Sequence, residues 1–360
     1  MIRAAVIGAS FARDAYLPAF RHIDGAEVVA IASQSRASAA AAAAPYGIAA
    51  VYDDWQAMLT EVRPDLVCIA TPTVLHAPMV KAAISVGAHV LCEKPTAMNA
   101  LEAREMLDAA RAAGVLHMLD HELRFNPNRM RVAEMIANGD LGEIRHANIA
   151  NIGASWADPA SRAKGDWWSD AAQGGGRLGA NGSHQIDLLR FWLGEPSAVV
   201  GQALTMVPDR ICKKTGEAWT ATADDLAWFN VEMQSGALAQ VFMSGVASAN
   251  IGNETQVFGS KGTIRLSNED ERLLFATGKG SFADISVADP TAELEGLNKG
   301  IWNVSVLSAL RELTDAIAEK RALRRGATFV DGLRNQMVLD GVVESTRSRA
   351  WVALDFTDAV

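Results

Sequence analysis

The sequence of 360 residues is short of cysteine, of aromatics and of positive charge, and it has no long apolar run. Each shortage excludes something. Its three cysteines, Cys68, Cys92 and Cys212, have neither metal-ligand spacing nor the even count of a disulfide framework. A reducing, cytoplasmic compartment is therefore expected, and a metal site is not. Aromatic residues make up only 6% of the chain, and three of them are tyrosines. A formal net charge of −9 argues against nucleic acid or an anionic membrane as partner, because both demand a basic footprint. An anionic small molecule stays open, since it responds to local charge. No stretch approaches the ~18 apolar residues of a membrane span. The apolar run in Met1–Gly8 is too short for a signal peptide.

What is present suits a globular enzyme of two domains. Hydrophobic residues make up 49%, ample for two cores at roughly 100–200 residues per domain. Up to about His121, short apolar runs (Ala4–Ile7, Val28–Ala32, Leu66–Ala70, His89–Cys92, Val115–Leu119) alternate with helical stretches. Strands that are apolar throughout, with helices between them, predict a parallel sheet covered on both faces. After His121 the pattern changes. Asp225–Met233 and Ala237–Ser244 alternate around Gln234-Ser235-Gly236, and Gln256–Gly259 and Thr263–Leu266 flank Ser260-Lys261-Gly262. Both read as hairpins of a large, mostly antiparallel open sheet. Helices are expected at about Ser183–Leu193, Val304–Glu319 and Asp331–Thr346. The fold class is α/β, with a doubly wound parallel domain over 1–121 and a second α/β domain over 122–360.

Chemistry concentrates at the ends of the early strands. Gly8-Ala9-Ser10-Phe11-Ala12-Arg13 follows the first strand and opens a helix, where backbone N–H groups meet a dinucleotide pyrophosphate. The fingerprint is degraded. Gly8 supplies the tight turn, Ser10 replaces the second glycine but offers a hydroxyl, and Arg13 stands where a small residue packs. A plain strand–turn–helix corner remains the competing reading. The second strand ends in Ser33-Gln34-Ser35-Arg36 with no acid to hold an adenosine ribose. Hydroxyls and a guanidinium suit a 2′-phosphate, so NADP is expected over NAD; a solvated loop with an accidental arginine is the bland alternative. The fourth strand in this reading, His89–Cys92, runs into Glu93-Lys94-Pro95, an acid, a base and a proline at the ligand edge of the sheet.

These stretches resemble the Gfo/Idh/MocA family, the glucose–fructose oxidoreductase and inositol dehydrogenase group. The match covers nearly the whole chain: Cys68–Thr71 with Pro72 and His76, Gly87–Pro95, Arg124–Pro127, Gly174–Gly176, Gly182–Asp187, Phe258–Thr263 and Asp331–Leu333. The resemblance implies a Rossmann domain followed by an α/β domain used for homodimers or homotetramers. It implies a cofactor site at Gly8, Ser10, Phe11, Arg13, Ser33, Ser35, Arg36, Thr71, Pro72, His76, Glu93 and Lys94. Lys94 then touches nicotinamide ribose and substrate, and His184 is the catalytic histidine. On the substrate side it points to Arg124, Trp168, Asn181, His184 and Asp187. Family members commonly carry an aspartate four residues before that histidine. Here the position is Ala180, so the usual acid–base pair cannot operate in its usual form.

Read from the residues alone, His184 opens an amphipathic helix carrying Ile186, Leu189 and Leu193, and its cation is disfavoured by the helix dipole. A structural histidine capping that turn is the alternative. Three functions follow. The first is hydride transfer between a nicotinamide and a sugar, cyclitol or related hydroxy or carbonyl compound, with Lys94 polarising the oxygen, His184 exchanging its proton and no metal required. The second is a redox-cycling, NAD-dependent glycosidase. The third is a cofactor-sensing regulatory protein without catalysis.

Overall fold

The computed structural model describes residues 1–267, 270–297 and 301–359, with the side chains of 301–303 and 358 left aside. The chain divides into two compact units, Met1–Asn126 with Asp289–Leu333, and Pro127–Ala288 with Arg334–Val360.

The first unit holds six strands: β1 (Ile2–Ile7), β2 (Ala26–Ala32), β3 (Ala50–Tyr52), β4 (Leu66–Ile69), β5 (His89–Cys92) and β6 (His117–Leu119). They form one sheet in the order β3-β2-β1-β4-β5-β6, and every pair is parallel. This is the doubly wound dinucleotide-binding order, with its switch point between β1 and β4. The apolar runs do not alternate because helices cover both faces; β4 is buried at all four positions. Helix ends follow local chemistry. Asn99 caps the helix Ala100–Ala113 by accepting from the Glu102 N–H, and Glu102 accepts from the Met98 N–H in return. Asp54 caps Trp55–Val62 by accepting from the Gln56 and Ala57 N–H groups.

The second unit carries a nine-stranded sheet in the order β16-β15-β14-β13-β7-β12-β11-β8-β17. Its strands are β7 (Ile144–Ile152), β8 (Pro196–Leu204), β11 (Leu226–Met233), β12 (Leu238–Ser244), β13 (Gly252–Gly259), β14 (Gly262–Ser267), β15 (Leu273–Thr277), β16 (Ala283–Asp284) and β17 (Val352–Ala353). A separate hairpin joins β9 (Asp209–Ile211) to β10 (Ala218–Thr220). Both expected hairpins of the large sheet form, as β11–β12 and β13–β14. The pairing of β7 with β12 is parallel; the other pairs in this sheet are antiparallel. Buried and more exposed residues alternate along β11 and β12, as expected of a sheet with one packed face. Ser345 and Thr346, on the last helix (Phe329–Ser348), accept from the Gly201 and Ala203 N–H groups of β8.

The units differ from the expected 1–121 and 122–360 in two respects: the break falls after Asn126, and residues 289–333 return to the first unit. There the helix Ile301–Glu319 buries Val306, Leu307, Ala309, Leu310 and Leu313 in one core with Ala12, Tyr16, Leu17 and Phe20. An amphipathic pattern says that a face is buried. It does not say against which core.

Candidate active site

Gly8 ends β1 at the switch point. It sits at φ +104°, and a Cβ there would lie 2.0 Å from the Ala70 carbonyl oxygen at the end of β4. Only glycine allows the two strand ends to meet this closely. Helical turns start at once and run from Ala9 to Phe20 through a π-helical stretch at Ala12–Tyr16. Ser10 is exposed beside this turn, Phe11 stands edge-on to Tyr16 at 5.3 Å, and Arg13 pairs with Asp14 at 3.1 Å on the surface. A turn that excludes a Cβ and opens a helix fits a dinucleotide pyrophosphate.

At the end of β2, Ser35 caps the helix Arg36–Ala43 by accepting from the Ser38 N–H. Arg36 is the first residue of this helix and is exposed. Ser33 Oγ lies 3.4 Å from Ser38 Oγ. Hydroxyls and a guanidinium thus gather at one helix start, the expected place for an adenosine ribose or its phosphate.

His76 lies one layer deeper. It is fully buried, and its ring reaches the carbonyls of Pro95 (2.9 Å from Nδ1) and Thr71 (3.0 Å from Nε2). It ties the turn after β4, with Thr71 and Pro72, to the turn after β5. Its bearing on a cofactor runs through those turns, because both ring nitrogens face their carbonyls and the neutral ring donates its one N–H to one of them. Burial holds its basicity below that of an ordinary imidazole.

Beneath the Glu93-Lys94-Pro95 turn lies a cluster that the sequence reading missed. Tyr16 Oη is 3.1 Å from Glu93 Oε1 and 2.9 Å from Asp120 Oδ2, and all three side chains are buried. Glu93 Oε2 accepts from the Lys94 N–H at 3.3 Å and lies 4.0 Å from Lys94 Nζ. Burial, then the facing Glu93 and Glu122 carboxylates, push the Asp120 carboxyl well above the usual range. Burial, then Asp120 and Glu93, raise the Tyr16 phenol. A signal was available: Asp120 directly follows a strand of the parallel sheet, the position from which Glu93 and Lys94 were identified.

Arg124 is placed differently from a free ligand. Its guanidinium pairs with Asp331 at 3.1 Å and reaches the Arg325 carbonyl at 3.4 Å, all within the first unit. A substrate contact would have to compete with that ion pair.

In the second unit, His184 and Asp187 are buried on the helix Ser183–Leu193. The expectation that His184 opens this helix is corrected. The π-helical turn Leu178–Gly182 leads straight into it, and Gly182 itself is helical at φ −61°, ψ −38°. His184 therefore stands about two turns inside a helical run, beyond the reach of an N-terminal dipole. Gly182 is there for packing: a Cβ would come within 3.2 Å of both Leu178 and Met243. On the preceding turn, Asn181 accepts from Arg177 at 3.3 Å, and Arg177 also donates to Ser155 at 2.9 Å. The Arg177 and Arg162 guanidinia lie 5.0 and 4.9 Å from the Trp156 ring. Trp168 stacks on Trp167 at 4.3 Å.

Comparison with known proteins decides the family. Residues 2–121 match the oxidoreductase family with an NAD-binding Rossmann fold, and residues 130–265 match the GFO/IDH/MocA C-terminal domain. The chain belongs to the Gfo/Idh/MocA family of oxidoreductases. Among its Gfo/Idh/MocA-type relatives, D-glucoside 3-dehydrogenase of Escherichia coli is 32% identical over 244 residues, 66% of this chain and 68% of that one. Levoglucosan dehydrogenase of Pseudarthrobacter phenanthrenivorans is 27% identical over 347 residues, 89% and 88% of the two chains. A solved levoglucosan dehydrogenase in complex with NADH and L-sorbose matches with a TM-score of 0.89 at 25% identity, covering 99% of each chain. This Gfo/Idh/MocA chain is thus an oxidoreductase with a nicotinamide dinucleotide fold. No helix among its described residues is long and apolar enough to cross a membrane.

Proposed function

We propose that this enzyme transfers hydride between a nicotinamide dinucleotide and a ring carbon of a sugar or cyclitol, exchanging hydroxyl for carbonyl. The observation that carries the reading is the placing of Lys94 after β5, on the strand-end edge that also holds the glycine turn and Ser33–Arg36. The relatives named for D-glucoside and levoglucosan point to the same substrate class. The bound dinucleotide supplies the hydride acceptor or donor. Lys94 binds and polarises the reacting oxygen, and His184 takes or returns its proton. Asn181, Asp187, Trp168 and Arg124 belong to the substrate side in this reading, and Gly8, Ser10, Phe11, Arg13, Thr71 and Pro72 to the cofactor side.

The cofactor preference we infer is NADP, from Ser33, Ser35 and Arg36 and from the missing acid. NAD is the second reading, favoured by the NADH in the structurally similar levoglucosan dehydrogenase. A homodimer or homotetramer through the large sheet is part of the same proposal; Phe242 and Leu238 stand exposed on β12.

The test is a cofactor-coupled screen of sugars, cyclitols and hydroxy acids, run in both directions with NAD and NADP. With the best substrate, Lys94→Met is expected to abolish turnover while cofactor binding persists. His184→Asn should lower kcat by about 10²–10⁴-fold, the usual range for lost acid–base catalysis. A Lys94→Met variant with near-normal kcat would remove the lysine from the mechanism.

A further inference from the structure

We propose that Asp120 stores a proton: it is a neutral carboxylic acid that donates to the Tyr16 hydroxyl, which donates to Glu93 and so keeps Glu93 charged toward Lys94. The inference rests on the hydride-transfer reading for its consequence, but not for its chemistry.

The argument is a count of protons. The Tyr16 hydroxyl has one, and it faces two carboxyl oxygens, Glu93 Oε1 at 3.1 Å and Asp120 Oδ2 at 2.9 Å. If both acids were ionised, one of these contacts would set oxygen against oxygen with nothing between. One more proton makes both contacts hydrogen bonds. The structure indicates which acid holds it. Asp120 is 1% exposed, and its Oδ1 has no hydrogen-bond partner among the described residues. A carbonyl oxygen in that position costs far less than half of a full carboxylate charge. Glu93 has a use for the charge, since its Oε2 accepts from the Lys94 N–H and faces Lys94 Nζ at 4.0 Å.

The groups acting on Asp120 point the same way. Burial comes first, then Glu93 and Glu122, then a side-chain hydrogen bond between Asp120 and Glu93, all favouring the neutral acid; a hydrogen bond donated by Tyr16 to Asp120 would oppose them, and the proton count turns that contact round. Cys68 and Cys92, buried at the ends of β4 and β5, have thiols whose ionisation burial and Asp120 both disfavour, so neither takes up the role of base. The order of the relay is then Asp120 Oδ2–H to Tyr16 Oη, and Tyr16 Oη–H to Glu93 Oε1. No bond is made or broken beyond these protons. Tyr16 and Asp120 are positioning residues: they act on the reaction through Glu93 and Lys94.

The test has two arms. Infrared difference spectroscopy of the full chain without substrate, at neutral pH, is expected to show the carbonyl stretch of a protonated buried carboxyl that Asp120→Asn removes. Glu93→Gln, which takes away the facing charge, should let that band titrate at lower pH than in the parent. In turnover, Tyr16→Phe should lower kcat by up to about a hundredfold, the scale of a misplaced catalytic group, with cofactor affinity retained. Asp120→Asn, whose amide can still donate to Tyr16, should keep more of kcat than Asp120→Ala. Absence of a band removable by Asp120→Asn overturns the stored proton, and a parental kcat in Tyr16→Phe overturns the relay. If no sugar or cyclitol is turned over, the hydride-transfer reading fails, while the infrared arm still decides where the proton sits.

Discussion

Two buried clusters, one in each unit, hold charge in opposite ways. In the first, acids gather with acids: Tyr16, Glu93 and Asp120 are in contact, Glu122 acts on Asp120, and Asp120 resists ionisation. In the second, Asp225 and Glu195 meet arginines. Asp225 lies 3.4 Å from Arg210, with both side chains 1% exposed. Glu195 is held between Arg190 and Arg334 at 2.8 and 2.9 Å, and its carboxyl stays below the usual range despite partial burial. A paired carboxylate remains a charge and serves as architecture. A carboxyl facing other carboxyls in a buried place holds its proton to higher pH.

Breaking the architectural kind should cost most. Arg210 donates to the Trp156 and Asp158 carbonyls as well as facing Asp225. Arg210→Met is expected to lower stability by about 3–5 kcal/mol, because it leaves buried acceptors and a buried carboxylate without their cation. Denaturant unfolding measures this. A loss below about 1 kcal/mol would mean that the buried Arg210–Asp225 pair is not part of what holds the second unit together.

A smaller effect separates the units by pH. In the first, burial and then Arg111 push His117 down to about 4, while the ring stacks on Phe329 and accepts from its N–H. The unfolded histidine titrates near 6.5. The unfolded chain therefore binds the extra proton between these values, and stability falls as pH drops from about 6.5 toward 4, by roughly 3 kcal/mol in all. His117→Asn, which keeps an acceptor, should flatten that slope. In the second, burial raises Asp224 to about 6. The sign reverses: the folded state binds more protons between the unfolded carboxyl value and 6, so this contribution is lost as pH rises through the folded value. Asp224→Asn should remove stabilisation on the acid side of 6, the opposite change in slope. Equal slopes in parent and both variants would erase the contrast.

The smallest effect concerns a charge that is not buried. Arg36 is exposed in the first turn after Ser35, and Arg36→Ala should weaken NADPH by about 1.5–3 kcal/mol, the worth of a charge-assisted contact, with NADH little changed. Titration of both cofactors decides it. Equal affinity of the parent for NADH and NADPH would place Ser33–Arg36 with the solvated loops.

Much of the candidate site was readable in the sequence because its residues stand where local patterns end. Gly8 follows an apolar strand, Glu93 and Lys94 follow another, and Ser35 precedes a run of alanines. Strand ends in a parallel sheet face one crevice, so position along the chain already implied position in space. Tyr16 and Asp120 were not legible in this way. They lie 104 residues apart, on a helical turn and after a strand, and a tyrosine in an apolar segment reads as core. Gly182 misled in the other direction. It looks like a helix boundary, yet it is an inner helical residue chosen for close approach to Leu178 and Met243.

By itself, the sequence determined which segments become strands and helices, that the first sheet is parallel and the second mostly antiparallel, and which family motifs stand at the strand ends. Periodicity and breakers carry that information because they report burial and turn geometry residue by residue. Only the tertiary structure decided that Ile301–Glu319 packs with Tyr16 and Leu17, that the helix bearing His184 begins a turn and a half earlier, and that one hydroxyl bridges two acids. A local pattern says that a side chain is buried. Its partner, and hence its proton, depends on which distant segment arrives beside it.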